Sequence, residues 1–99
     1  MPLQRLYNPD LPLAGLEVVE LHAIGPVPFA GMVLRSLGAH VTRVSPPTDP
    51  ALGIGLPAEF DLLNQGKTQV FHDMKQPDGI RAVNDLLARS DVLLEGFRP

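Results

Sequence analysis

The 99-residue chain contains 44% hydrophobic and 19% charged residues, a composition typical of a folded domain and not of a disordered one. Its net charge of −3 comes from 8 basic and 11 acidic residues, and the absence of a basic stripe with interleaved aromatic residues argues against a nucleic-acid partner. The chain has no cysteine, which excludes disulfides, Cys-ligated metals and thiol nucleophiles.

Residues 1–12 contain three prolines and predict an extended N-terminal arm. Residues 13–99 are predicted to form part of one domain. The N-terminal segment lacks the apolar run of a signal peptide. No stretch approaches the roughly 20 apolar residues of a membrane span. We therefore expect a soluble, cytoplasmic protein without a membrane partner.

The first half of the domain predicts a strand, a helix and a second strand. Residues 16–21 are apolar and β-branched enough for the first strand, and Pro28 is suited to the first turn of a helix. The spacing of Phe29, Val33 and Leu37 predicts that helix, and Gly38 can end it in a left-handed conformation. Residues 41–44 alternate as a second strand, so the unit is βαβ and right-handed.

The second half predicts a loop, two more strands and another helix. Residues 45–58 are rich in proline and glycine and predict a long loop, followed by a short helix around residues 59–63. Residues 69–74 predict the third strand, and a helix with an apolar stripe begins near Pro77. The fourth strand, residues 91–95, has an apolar centre suited to a sheet covered on both faces.

Strands that alternate with helices predict an α/β fold with a Rossmann-like, open and mostly parallel sheet flanked by helices. Such sheets bind ligands beyond the carboxyl ends of their strands, which here carry residues 22–28, 45–47, 73–75 and 96–99. The fourth strand has no covering element after it. We therefore expect the chain to be the opening portion of a larger enzyme.

Several polar or shaped positions at these strand ends allow two interpretations. Gly25 and Pro26, at the mouth of a helix, could bring backbone N–H groups close to an anion or simply shape a turn. His22 could contact a ligand or be a hydrogen-bonded loop histidine, whereas His40 is predicted to lie on the surface. Together with His72 they lack the spacing of metal ligands, so no metal site is predicted.

The sequence Gly66-Lys67-Thr68 resembles the end of a P-loop but has neither its glycine spacing nor a helix after it, so a P-loop is excluded. Lys67 and Lys75 could still offer point charges to a phosphate or be solvated surface lysines. Asp73 and Glu95 could act as acid or base only if burial or a partner shifts their pKa. Otherwise they are expected in caps and salt bridges.

Six segments together resemble the N-terminus of family III CoA-transferases, particularly their alpha-methylacyl-CoA racemase branch. The segments keep the order and similar spacing of that family and cover nearly the whole chain from Leu13 onward. They are residues 13–21, 25–34, 37–44, 63–67, 73–79 and 91–99.

The resemblance implies a Rossmann-like large domain, an interlocked homodimer and acyl-CoA thioester substrates. Coenzyme A enters as part of the substrate, and no permanently bound cofactor is implied. The positions that match the family's CoA contacts are Gly25, Pro26, His72, Asp73, Met74, Lys75, Gly96, Phe97 and Arg98.

The resemblance also implies that the catalytic residues belong to later segments, so none is assigned here and the fragment alone is predicted to be inactive. The preferred hypothesis is a racemase that epimerises 2-methylacyl-CoA thioesters. The alternatives are a CoA-transferase acting between carboxylic acids and a non-catalytic or decayed family member. Ser45-Pro46, where the family has Asp-Arg, and Gln65 to Gln69, where it often has Arg-Gly-Lys-Arg-Ser, motivate the last alternative.

Overall fold

The computed structural model describes residues 9–47 and 61–97, which form a parallel sheet with helices packed against it. The strands pair in the spatial order β3-β2-β1-β4, and every pairing is parallel. This confirms the predicted α/β, Rossmann-like fold. The elements are β1 (Glu17–Leu21), α1 (Pro26–Ser36), β2 (His40–Ser45), β3 (Thr68–Phe71), α2 (Pro77–Ala88) and β4 (Val92–Leu94).

Each face of the sheet has its own apolar core, because successive side chains of a strand point to opposite faces. Val19 and Val44 pack on one face with Val83 of α2. Val18 and Val41 pack on the other face, together with Ala39 and with Leu34 of α1. The sheet is thus sandwiched between helices over the described part of the chain.

Helix α1 begins earlier than its proline pattern suggested. We expected Pro28 at its start, but the helix begins at Pro26, with Gly25 before it at φ 85°. Both prolines therefore lie in the first turn, where a backbone N–H would have no partner within the helix. The two prolines start the helix without costing it a hydrogen bond.

The end of α1 confirms the predicted role of Gly38, which has φ 112°. Its N–H donates to the Arg35 carbonyl at 3.0 Å, and the Ala39 N–H donates to the Leu34 carbonyl at 3.1 Å. These bonds satisfy carbonyls that the helix itself leaves open. The chain turns sharply here and enters β2 two residues later.

Three predicted segments differ from the structure by more than one residue. The third strand was predicted to reach residue 74 but ends at Phe71, because the chain turns there toward α2. Residues 61–63, expected in a short helix, are not helical, and residues 59–60 lie outside the described part. Residues 9–12 of the expected extended arm form turns and a bend, and residues 1–8 are not described.

Strand β4 differs from its prediction in burial. Its apolar centre suggested a strand covered on both faces, but Leu93 is 44% exposed. The reason is position: β4 pairs only with β1 in the described sheet and lies at its edge. Leu93 pairs in register with Val19, whose face α2 covers, but at the edge of the described sheet this helix does not bury Leu93.

Candidate functional site

A cleft of about 290 Å³ lies at the carboxyl end of the sheet. Parallel α/β sheets bind ligands at this end, because the loops that leave neighbouring strands meet there. Segments that follow all four strands contribute to its wall. The lining residues are Leu21, His22, Val44, Ser45, Pro46, His72, Asp73, Met74, Lys75 and Phe97.

The segment between β3 and α2 is held by its own hydrogen bonds. Asp73 Oδ1 accepts from the Lys75 N–H at 2.9 Å, and the Asp73 carbonyl accepts from the Gln76 N–H at 3.1 Å. Gly79 in the first turn of α2 packs directly on the Asp73 backbone, where a Cβ would overlap the carbonyl. Asp73 thus closes a turn ahead of α2 and does not cap the helix, whose N-cap Gln76 has no side-chain cap hydrogen bond. The exposed Lys75 lies beside the cleft.

The segment after β4 brings an aromatic ring to the opposite wall. Glu95 Oε2 accepts from the Phe97 N–H at 2.9 Å, so Glu95 also holds its own loop. Phe97 is 58% exposed and contributes to the cleft lining. Gly96 lies against the first turn of α1, since a Cβ there would come within 2.9 Å of Val27 Cγ2.

The structure brings together five of the nine residues predicted to contact coenzyme A. His72, Asp73, Met74, Lys75 and Phe97 all line the cleft. The others do not line it or are not described: Gly25 and Pro26 start α1, Gly96 packs against that helix, and Arg98 lies outside the described residues.

Beneath α1, a row of polar side chains crosses the sheet. Glu20 of β1 is paired in register with Arg43 of β2, and Arg43 with Gln69 of β3. Glu20 is fully buried. Lys67 Nζ lies 2.7 Å from Glu20 Oε1, and Arg43 Nε lies 3.6 Å from Glu20 Oε2. We call Glu20, Arg43, Lys67 and Gln69 the ionic row.

Lys67 was predicted to be either a phosphate ligand or a solvated lysine, and both interpretations are wrong. Its side chain is 1% exposed and donates to the Pro28 carbonyl and to Asn64 Oδ1, each at 3.0 Å. It therefore ties the segment before β3 to α1 and to Glu20. Burial lowers the pKa of Lys67 below its ordinary value, although the Glu20 carboxylate acts in the opposite direction.

Gly31 lets α1 approach this row closely. A Cβ at Gly31 would overlap the Glu20 carboxylate and lie 3.0 Å from Lys67 Nζ. The backbone of α1 therefore packs directly on the buried charges and covers them. Glycine is required here for space and not for an unusual backbone conformation.

The ionic row reaches the cleft through His22. Arg43 Nη2 donates to His22 Nδ1 at 2.8 Å, and Arg43 Nη1 donates to Gln69 Oε1 at 3.0 Å. Gln69 Nε2 in turn donates to Ser45 Oγ at 2.9 Å, and this hydroxyl lies 3.4 Å from His22 Nδ1. His22 is thus hydrogen-bonded, as one of its two interpretations expected, and it also lines the cleft.

The other end of the sheet carries a separate hydrogen-bonded histidine. His40 Nδ1 lies 2.9 Å from Glu17 Oε1, and its Nε2 lies 2.8 Å from Thr68 Oγ1. The His40 side chain is 49% exposed, which agrees with its predicted surface position. Because these residues begin β2, β1 and β3, the chain of bonds joins three strands at their amino ends.

The sequence interpretation missed Glu20 and Arg43 as site-related residues. A signal was available, because each charge lies in a mostly apolar strand, Glu20 within residues 18–21 and Arg43 within residues 41–44. A charge in a strand buried on both faces needs a partner. The identity of that partner, Lys67, depends on a loop path that no local pattern encodes.

Two further kinds of site were searched for in residues 9–47 and 61–97. No three His, Asp or Glu side chains come together there as they would around a metal ion. Neither described helix is long and apolar enough to cross a membrane.

Several known proteins are similar to this chain in sequence or in structure. The human alpha-methylacyl-CoA racemase is 43% identical over 87% of this chain, which covers 21% of that protein. The beta subunit of succinyl-CoA–L-malate CoA-transferase from Chloroflexus aurantiacus is 36% identical over 90% of this chain, which covers 24% of that subunit. A crystal structure of a hypothetical protein from Mycobacterium tuberculosis superposes with a TM-score of 0.81 and 36% identity.

That crystal structure matches 93% of this chain, which covers 27% of the Mycobacterium chain. The present chain thus spans about a fifth to a quarter of the length of these proteins. The model of CoA-transferase family III matches residues 13–99, which is nearly the whole chain. The chain therefore belongs to CoA-transferase family III.

Proposed function

We propose that this chain contributes the coenzyme A-binding wall of an acyl-CoA enzyme, and that the enzyme is an alpha-methylacyl-CoA racemase. The single observation that carries the proposal is the cleft at the carboxyl ends of the strands, lined by His72 to Lys75 and Phe97 on a chain of this family. The human racemase, at 43% identity, supports the choice of reaction.

The chemistry of the cleft wall suits different parts of a coenzyme A thioester. Met74 and Phe97 supply apolar and aromatic surface on which a heterocyclic base or a pantetheine chain can pack. Lys75 is a flexible cation that can pair with a phosphate. Asp73 is tied to its own loop and holds Lys75 in place.

Binding is tested by calorimetric titration of CoA into the complete gene product. We expect saturable binding that Lys75→Ala weakens about fivefold, the value of roughly one solvent-exposed ion pair. Arg81→Ala is the matched control, because Arg81 is an exposed cation on α2 and does not line the cleft. No binding by the wild type would contradict the proposal and favour a non-catalytic or decayed family member.

The reaction is tested with a chiral 2-methylacyl-CoA in deuterated water. A racemase removes and returns the α-proton, so we expect deuterium at the α-carbon and loss of optical purity. The substrate should remain a thioester throughout. Retention of the α-hydrogen would contradict racemisation.

CoA transfer between carboxylic acids is the second candidate, and the 36% identity to a succinyl-CoA–L-malate CoA-transferase subunit favours it. The same incubation separates the two reactions when a free carboxylic acid is added. Transfer would place CoA on the added acid and leave the α-hydrogen unexchanged.

The proposed assembly is a homodimer, as the family resemblance implied. An exposed apolar stripe along α1 and its C-cap supports an interface, because Phe29, Val33 and the C-cap Leu37 are 55%, 38% and 40% exposed. Light scattering behind size exclusion measures the mass of the complete gene product. A monomer at working concentration would contradict the assembly.

A cytoplasmic location remains a prediction.

A further inference from the structure

His22 lies where the ionic row meets the cleft, and two side chains next to its Nδ1 bear on where its ring carries a proton. A guanidinium has only N–H donors, so Arg43 Nη2 at 2.8 Å requires an acceptor at His22 Nδ1. The Ser45 hydroxyl, 3.4 Å from the same nitrogen, accepts from Gln69 and keeps its own proton to donate. Both neighbours therefore fit a ring whose Nδ1 carries no proton.

Arg43 is itself fixed and cannot easily turn away from His22. Its Nε lies 3.6 Å from the buried Glu20 carboxylate, and its Nη1 donates to Gln69 at 3.0 Å. The side chains of Arg43 and Glu20 are 11% and 0% exposed. The planar guanidinium is thus held by three groups in fixed directions, an arrangement that lysine with its single ammonium reproduces only in part.

We propose that His22 contacts the ligand in the cleft and that Arg43, anchored by Glu20, is the positioning residue that holds His22 in the tautomer protonated at Nε2. The ligand part of this inference rests on the proposed function, since His22 lines the cleft assigned to the acyl-CoA. The tautomer part rests only on hydrogen-bond distances. Their failures can therefore be told apart.

The chain supplies an internal reference in His40. A carboxylate only accepts, so Glu17 Oε1 at 2.9 Å requires a proton on His40 Nδ1, and the Thr68 hydroxyl at 2.8 Å can donate to Nε2. The two histidines therefore carry opposite tautomers when neutral. His40 also lies at the amino end of the sheet, away from the cleft.

Nitrogen NMR of histidine-labelled protein tests the tautomers directly. In the wild type we expect His22 protonated at Nε2 and His40 protonated at Nδ1, with His22→Asn used for assignment. Arg43→Gln should give a mixture of tautomers at His22, and Arg43→Lys should restore much of the original pattern. Arg81→Gln, on the exposed side of α2, is the control and should change nothing.

Addition of CoA then tests ligand contact in the same samples. The His22 ring signals should move and those of His40 should stay, and Arg43→Gln should weaken CoA binding about tenfold, the loss of roughly one hydrogen bond. A wild-type His22 protonated at Nδ1, or an unchanged pattern in Arg43→Gln, would overturn the positioning role. CoA that binds without moving the His22 signals would overturn the contact.

Absence of CoA binding would overturn the proposed function and, with it, the contact, while the tautomer pattern would still decide the positioning role. If Arg43→Gln does not fold, the wild-type spectrum and Arg43→Lys still decide it.

Discussion

The two faces of the sheet are buried in different ways. The face under α2 is apolar, with Val19, Val44 and Val83 packed together, and its stability depends on filled volume. The face under α1 is apolar around Val18 and Val41. Toward the carboxyl ends of β1 and β2 the same face holds the ionic row, whose stability depends on pairing.

This difference teaches where function and stability are separated in the fold. Apolar packing tolerates changes of similar volume, whereas a buried charge has few acceptable partners. The ionic row stands next to the cleft and reaches it through His22. The α2 face can therefore vary while the α1 face is constrained by both folding and the site.

Loss of a single charge from the α1 face is expected to have the largest effect. Among residues 9–47 and 61–97, Lys67→Met leaves the fully buried Glu20 carboxylate with only Arg43 at 3.6 Å. Removal of one partner of a buried pair costs about 3–5 kcal/mol. Urea unfolding measures the change. Lys75→Met, an exposed lysine, is the control and should stay within about 0.5 kcal/mol of the wild type.

Loss of volume from the α2 face is expected to cost less. Val83→Ala removes two carbon atoms from a side chain that is 2% exposed, and we expect a loss of about 2 kcal/mol from transfer and cavity formation. Ile80→Ala on the same helix is the matched control, since Ile80 is 45% exposed. Equal losses for the two variants would show that Val83 is not part of a packed core.

Removing the charges of Glu20 and Lys67 together tests whether the α1 face depends on their pairing. The double variant Glu20→Gln with Lys67→Met leaves no isolated carboxylate, so its stability should lie within about 1.5 kcal/mol of the wild type. It should thus be more stable than Lys67→Met alone. Additive losses in a double-mutant cycle would mean that the two side chains are energetically independent.

The smallest effect concerns alkaline pH. Burial in the folded state lowers the pKa of Lys67 below its ordinary value of 10.5. Between the folded pKa and pH 10.5, the unfolded chain therefore binds this proton more than the folded chain does. Stability should therefore rise as pH increases through the folded pKa toward 10.5. The difference in unfolding free energy between wild type and Lys67→Met isolates this contribution. A difference that falls with rising pH would contradict the direction of the shift.

The sequence predicted the succession of strands and helices along the chain, because the spacing of apolar residues that identifies each element is a local pattern. The spacing along α2 and the glycine at position 38 were sufficient for that element and for the end of α1. Strand ends were harder to predict. The end of β3 at Phe71 is set by the turn around Asp73 and its close contact with Gly79, which lie beyond the strand itself.

The cleft was predicted in position because parallel strands place their carboxyl ends together. Phe97 and Lys75 are 22 residues apart in sequence and yet line one cleft. The ionic row was not predicted. Lys67 resembled a phosphate-binding lysine, and only the path of the loop before β3 reveals that its partner is Glu20.

The in-register pairing of Glu20 with Arg43 has a consequence for how the chain finds its fold. A shift of β2 by one residue against β1 would exchange the two faces of the strand, moving Arg43 toward Val83 and setting Val44 beside Glu20. Glu20 and Arg43 would then lie on opposite faces of the sheet and could no longer pair. The pair therefore disfavours a shifted register between β1 and β2. A uniformly valine-rich sheet would have no such charge pair to select the register.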